Sequence, residues 1–277
     1  MIIRIKNDGL NDAIEKYIID KTKSAPPKSY RKIKYKKINK IITSIYKKFN
    51  TKLNDRIIIS INSSYMKDYI VKHYNNLYKY QNQILENYSS MDILELSKRF
   101  DLSPVTIFKL VFEKKYMMNL SNIIKNKNLI LDKYDKEQFD KASKYDIYFQ
   151  LDQTKSQDEA ANFEKQIEGF LITNKVEYLT QEQLVKEQLS STGKVTNTPD
   201  FLIKSELVIN NKKINWIDAK NFYGANIDFI RNKIKKQIKK YIDEYGSGCI
   251  IFSLGYNSKL NIMDTLCVDY QQLVVPK

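Results

Sequence analysis

The sequence predicts an α/β protein of the α+β kind: a mostly helical, basic first half, then a mixed sheet with helices packed on it. Three observations predict it. Only seven Gly and five Pro occur in 277 residues, so few positions interrupt long helices. Apolar residues in the first half recur at helical spacing, as in Ile38, Ile41, Ile42 and Ile45. Beyond Ser156, helix-like and strand-like stretches alternate, the pattern of helices layered on a sheet.

Charge divides the chain in the same way. Residues 1–150 hold 30 Lys/Arg against 16 Asp/Glu, and residues 151–277 hold 17 against 16, within a net charge of +15. A basic half joined to a nearly neutral one suits a polyanion grip beside a second activity, with nucleic acid the expected partner. AT-rich coding bias explains many lysines but not their asymmetry. No apolar run approaches the roughly 20 residues of a membrane span, so no membrane partner is expected. Met1–Lys6 lacks the apolar stretch of a signal peptide. Cys249 and Cys267 lack zinc-ligand spacing, which fits a reducing intracellular compartment. His73 is the single histidine and sits in a helical stretch, so any chemistry falls to carboxylates, lysine and metal.

In chain order, a short amphipathic helix is expected around Leu10–Ile19, starting near Asn11 or Asp12. Pro26-Pro27 interrupts it. A basic helix follows, with Arg31, Lys32 and Lys36 on its cationic faces, open either to phosphates or to solvent. Residues 63–87 read as Tyr- and Asn-rich helices whose tyrosines pack or stack on bases. Ser90 is expected to cap the next helix, Phe100–Leu102 to turn, and Ser103-Pro104 to open another. Leu94–Ile107 therefore reads as a helix-turn-helix, whose second helix would offer Ser103, Thr106 and Lys109 to a major groove and Lys114 to phosphates. A packing-only helical hairpin is the alternative. The boundary between a helical region, 1–150, and a second domain, 151–277, is expected near 145–157, where periodicity fades.

The second domain is expected to run helix, strand, helix, strand, strand, helix, strand. Its centre is Thr198–Lys220. Asn210-Asn211-Lys212 reads as a tight turn between two strand-like runs. Side chains on a strand alternate, so Asp218 and Lys220 leave one face about 7 Å apart, with Asp200 on the paired strand able to meet them. Two carboxylates make a hard-oxygen site for a cation such as Mg²⁺, and the ammonium can orient water or steady charge on a phosphate. A solvated strand face with Asp200 as a turn acid uses the same residues without chemistry.

Thr198-Pro199-Asp200-Phe201-Leu202, Trp216-Ile217-Asp218-Ala219-Lys220 and the preceding Tyr178–Leu184 resemble the PD-(D/E)xK nuclease superfamily, and more closely its TPD-motif nucleases, which include the animal codanin-interacting nuclease. The resemblance implies a restriction-endonuclease-like α-β-β-β-α-β core and helix-turn-helix-like modules before it. It implies metal-dependent phosphodiester hydrolysis with Mg²⁺ or Mn²⁺, a nucleic-acid substrate with DNA favoured over RNA, and a codanin-like protein partner. Nuclear rather than cytoplasmic residence is implied on the same ground. A third acid is expected on the preceding helix, with Glu164 first and Glu168 or Glu159 as alternatives, and the Ala219 carbonyl as a further metal ligand. Gln237 and Tyr241 resemble the superfamily's Gln-x-x-x-Tyr motif and, four apart, share a helix face. Lys236 and Lys240 beside them are expected to meet phosphates. A nuclease fold kept only as a DNA-binding or partner-binding scaffold is the competing expectation.

Overall fold

The computed structural model describes residues 1–23, 30, 33–119, 130, 132–146 and 153–274. Arg31, Lys32, Pro26-Pro27 and residues 147–152 of the expected boundary lie outside them. The first half holds strand β1 (Ile2–Ile3) and helices α1 (Asp12–Thr22), α2 (Tyr35–Phe49), α3 (Asp55–His73), α4 (Asn75–Asn87), α5 (Ile93–Phe100), α6 (Pro104–Tyr116) and α7 (Lys133–Tyr145). The second holds α8 (Gln153–Thr173), β2 (Tyr178–Thr180), α9 (Gln181–Thr192), β3 (Phe201–Ile203), β4 (Val208–Ile209), β5 (Lys212–Lys213), β6 (Trp216–Lys220), α10 (Asp228–Tyr245), β7 (Gly248–Phe252), β8 (Thr265–Asp269) and α11 (Tyr270–Val274). The fold is α+β with a helical N-terminal region. No helix among the described residues is long and apolar enough to cross a membrane.

Local chemistry starts the helices where the sequence marks them, with one correction. Asn11 accepts the Ala13 N–H at 2.8 Å and begins α1. Helix α5 is capped by Asp92, which accepts the Leu94 N–H at 2.8 Å, not by Ser90. Asp101 takes the left-handed conformation that closes α5, and Ser103 caps α6 with Pro104 in its first turn. Helices α4 to α7 then bury Ile84, Ile93, Leu96, Phe108, Phe112 and Phe139 in a core of their own.

The main sheet has the order β2-β3-β6-β7-β8, antiparallel through β6 and parallel beyond it. Alternation along its strands gives it two apolar faces. One face, with Phe201, Ile217 and Ile251, packs on Phe163, Ile167 and Leu171 of α8. The other, with Leu202, Trp216, Ile250 and Phe252, packs on Ile230, Ile234, Ile238 and Tyr241 of α10. Trp216 lies so close to Gly248 that a Cβ there would come within 2.2 Å of the indole.

The turn expected at Asn210-Asn211 forms, with both residues at positive φ (47° and 64°), as a two-residue hairpin demands. It joins β4 to β5 rather than the strands of Asp200 and Asp218. That hairpin leaves the main sheet and pairs with β1, Ile2 beside Val208. A second long-range seam lies at α1, α2 and α3, whose Ile14, Ile18, Ile41, Ile58 and Ile61 share a core with Tyr223, Ala225 and Ile227. Buried Glu15 accepts the Asn226 N–H at 3.1 Å across the same seam. The first 73 residues therefore brace the loop that leads out of β6 and into α10.

Candidate active site

Register places the first two acids. Strands β3 and β6 pair antiparallel with Phe201 opposite Ile217 and Leu202 opposite Trp216. One step further along this register, Asp200 faces Asp218. Here β3 has begun only at Phe201, so the Ala219 N–H has no strand partner and donates instead to Asp200 Oδ2 at 2.6 Å. A residue's C=O leaves a strand on the same edge as its N–H, so the Ala219 carbonyl points toward the same gap.

Asp218 shares the Trp216 face and is fully buried, which excludes a solvated strand face for it. Lys220 follows two residues on, and its ammonium meets Asp218 Oδ2 at 2.5 Å with 15% of the side chain exposed. Helix α10 supplies the rest. Gln237 donates through Nε2 to Asp218 Oδ1 at 3.1 Å and accepts from Lys220 Nζ at 3.2 Å. Tyr241, one turn on, accepts from Gln237 Nε2 at 3.1 Å and donates to the Thr198 carbonyl at 3.2 Å. The Gln-x-x-x-Tyr pair thus ties the lysine to the Thr-Pro-Asp segment.

The charges are poorly compensated. Burial raises the Asp218 pKa, the Asp200 and Glu164 charges raise it further, and Lys220 opposes them. Burial likewise raises Asp200 against the Ala219 N–H and Lys220. Glu164, half-buried on α8, is raised by burial and then by Asp200. Asp218 Oδ2 is buried against the Lys220 ammonium, the one partner found for it among the described residues. Tyr241 is pushed up to about 12 by burial, with Asp218 and Asp200 adding to it. Three acids within electrostatic reach of one ammonium form a centre of negative charge that folding alone does not require.

Among the alternatives for the third acid, Glu168 accepts the Tyr178 hydroxyl at 2.9 Å and Glu159 is exposed. Among the described residues no three His, Cys, Asp or Glu side chains close on a single point. Mg²⁺ does not need such a cage. It ordinarily takes one or two carboxylates and fills its remaining positions with water and substrate phosphate. Asp200, Asp218 and the Ala219 carbonyl fit that donor set.

The family described as "Protein of unknown function TPD sequence-motif" matches residues 131–271 of the chain. The chain belongs to this TPD sequence-motif family. An uncharacterized protein of Acanthamoeba polyphaga mimivirus, L539, is 33% identical over 111 residues, which is 39% of this chain and 38% of that protein. The chain therefore spans well under half the length of this relative. No solved structure matches it. Every residue of the carboxylate–lysine web lies inside the TPD-family segment, whereas helices α1 to α6 lie before it.

The expected nucleic-acid contacts fare differently from one another. Lys36 and Lys40 are exposed on α2, where Asn39, Thr43 and Lys47 complete a shallow polar recess. Lys114, Lys236 and Lys240 are exposed, and Thr106 is partly so. Lys109 is exposed and lies 3.9 Å from Glu113. Ser103 is a correction: it is 5% exposed and its hydroxyl bonds Asp146, so it holds the fold and cannot reach a groove. Sequence reasoning gave no role to Thr198 beyond its place in the motif, nor to Gln181. Yet Gln181 Nε2 donates to the Thr198 hydroxyl at 3.3 Å, and its N–H donates to the Asp200 carbonyl at 3.0 Å. The signal was present, since Gln181 sits in a block that resembles the family.

Proposed function

We propose that this TPD-family protein is a metal-dependent nuclease of the PD-(D/E)xK type, hydrolysing phosphodiester bonds in nucleic acid, with DNA favoured over RNA. The observation that carries the reading is the buried web Asp200–Ala219 and Asp218–Lys220–Gln237–Tyr241, in which three acids stand within reach of one ammonium. A divalent cation, Mg²⁺ or Mn²⁺, would be held by Asp200, Asp218 and the Ala219 carbonyl, and would lower the pKa of bound water and offset phosphate charge. Asp200 is fixed for this by the Ala219 N–H. Lys220 is held between Asp218 and Gln237, so its ammonium is positioned without further ordering to steady negative charge on a phosphate oxygen. Gln237 and Tyr241 act as positioning residues. The basic helices of the first half supply the sequence-independent grip on the polyanion.

One observation favours a second reading, a nuclease fold kept as a DNA-binding or partner-binding scaffold: Glu164 does not close on the two aspartates. The two readings separate in one assay. The purified protein is incubated with labelled duplex, single-stranded and branched DNA and with matching RNAs, in Mg²⁺, Mn²⁺ or chelator. The nuclease reading expects metal-dependent cleavage that Asp218→Ala loses. Binding without cleavage on every substrate supports the scaffold instead.

A further inference from the structure

The positive charge of the first half is concentrated in one stretch. Between Asp20 and Asp55 lie 12 of the 30 Lys/Arg of residues 1–150 and none of their 16 Asp/Glu, so the remainder is nearly neutral. The helix-turn-helix, Asp92–Tyr116, holds five Lys/Arg against four Asp/Glu. Its second helix buries Ile107, Phe108, Val111 and Phe112 among its neighbours. There Lys109 lies by Glu113, and Lys115 pairs with Asp132 and Asp135. A grip on phosphates by charge therefore belongs to the acid-free stretch, whose helix is α2.

Helix α2 turns Ile38, Ile41 and Ile45 into the core it shares with α1 and α3. Its opposite face carries Lys36, Lys40, Thr43 and Lys47, spaced four, three and four apart and all exposed. Lys16 of α1 and Lys72 of α3 pair with acids one turn away. Among the described residues, by contrast, no ion pair uses Lys36, Lys40 or Lys47. Lys37 and Lys48, on the flank toward α1, are engaged with the Thr22 carbonyl at 3.4 Å and with the Tyr17 and Phe49 rings at 4.9 and 5.3 Å. On the other flank Tyr35 and Tyr46 each precede a lysine of the row, about 16 Å apart along the axis. They are 68% and 49% exposed, and neither ring has an aromatic partner among the described residues. Tyr74 and Tyr78 of α4, also exposed, pack edge to face on each other at 5.8 Å. A row of unpaired ammonium groups beside open rings is what a single strand needs: cations for its backbone, rings for its bases. A duplex hides its base faces in its own stack and offers such rings nothing.

We propose that α2 is the surface on which this protein holds nucleic acid, and that it takes a single strand. Lys36, Lys40 and Lys47 contact successive phosphates, while Tyr35 and Tyr46 stack on bases beside them. The inference rests on the nucleic-acid substrate of the nuclease reading and names the form in which that substrate is held. It moves the contact away from the helix-turn-helix, which serves as a packed helical unit.

The test is binding of the full chain to a short fluorescein-labelled single-stranded DNA and to its duplex, in chelator, between about 50 and 200 mM salt. The triple variant Lys36→Gln, Lys40→Gln, Lys47→Gln is compared with wild type and with its Lys→Arg counterpart. A triple Gln variant of the helix-turn-helix, at Lys98, Lys109 and Lys114, makes the same change of charge elsewhere. The expected salt slope on the single strand is shallower by about 2 in the α2 Gln variant, and that of wild type in the other two. Tyr35→Ala, Tyr46→Ala is expected to weaken single-strand binding about 10-fold or more at an unchanged slope. All five side chains are exposed, so the variants are expected to melt with wild type. A wild-type slope in the α2 Gln variant, wild-type single-strand affinity in the Tyr pair, or a wild-type preference for duplex overturns the inference and leaves the nuclease reading standing. A wild type that binds as described but cleaves nothing in Mg²⁺ supports the inference and removes the nuclease reading. One that binds neither probe at any salt overturns both.

Discussion

Two aspartates, one in each half, are almost equally buried and differently treated. Asp135 of α7 is 1% exposed and Asp218 of β6 is 0% exposed. Asp135 accepts from the Tyr88 hydroxyl at 3.0 Å, the Tyr116 hydroxyl at 2.6 Å and Lys115 at 2.7 Å. Asp218 has one aligned hydrogen bond, from Gln237, and an ion pair with Lys220, while Asp200 and Glu164 repel it. The first is a satisfied structural charge that ties three helical segments together. The second has fewer partners and two acids beside it, which is what the proposed metal site calls for. Burial alone therefore does not separate the two charges; the completeness of their partners does.

The sharpest break of this comparison is the same substitution at both positions. Asp135→Asn is expected to destabilise by about 2–3 kcal/mol, because a buried charge network loses its acceptor. Asp218→Asn is expected to stay within about 1 kcal/mol of wild type, since the lost ion pair is offset by lost desolvation and repulsion. Urea unfolding in chelator measures both, and equal losses would erase the distinction. Next in size is the response to metal. Saturating Mg²⁺ is expected to stabilise wild type and Asp135→Asn alike, by about 1–3 kcal/mol, and Asp218→Asn not at all. Thermal melts with and without Mg²⁺ read this without any substrate.

Glu15 extends the comparison to the seam between the halves. Burial raises its pKa above the ordinary value of 4.5 and outweighs the Asn226 N–H that it accepts, and the Asp12 charge adds to the rise. A carboxyl raised in the folded state is no burden below its unfolded pKa, and stability falls as pH rises through the folded value. Glu15→Gln is therefore expected to gain on wild type as pH rises from below 4.5 to neutrality, read as the difference between two melting curves. A difference that shrinks with pH would reverse the assignment. The smallest effect belongs to Tyr241→Phe, which loses the bonds to Gln237 and the Thr198 carbonyl. About 1 kcal/mol of stability is expected to go, together with a drop in cleavage rate that leaves substrate affinity unchanged.

Much of the site was legible in the sequence because its signals are local or strictly periodic. The period of two put Asp218 and Lys220 on one face, and i to i+4 spacing put Gln237 over Tyr241. Asn210-Asn211 at positive φ made the turn that the residue types announce. What escaped was long-range pairing. Two-residue strand β1 pairs with β4, Ile2 beside Val208, and a strand so short has no periodicity to read. The same limit hid the destination of the β4–β5 hairpin, which the sequence placed between the two acid-bearing strands. Ser103 shows the converse failure. Its cap role was readable, but its burial against Asp146 depends on a helix more than 40 residues away, so its expected groove contact could not be rejected in advance.

The central claim is that Asp200, Asp218 and Lys220 form a hydrolytic centre, and cleavage of end-labelled DNA with and without Mg²⁺ tests it most directly. The account predicts cleavage by wild type in Mg²⁺, none in chelator, and a loss of about 10³-fold or more in Asp200→Ala, Asp218→Ala and Lys220→Ala, with binding by the first half retained. Metal-dependent cleavage at the wild-type rate in all three variants would contradict it.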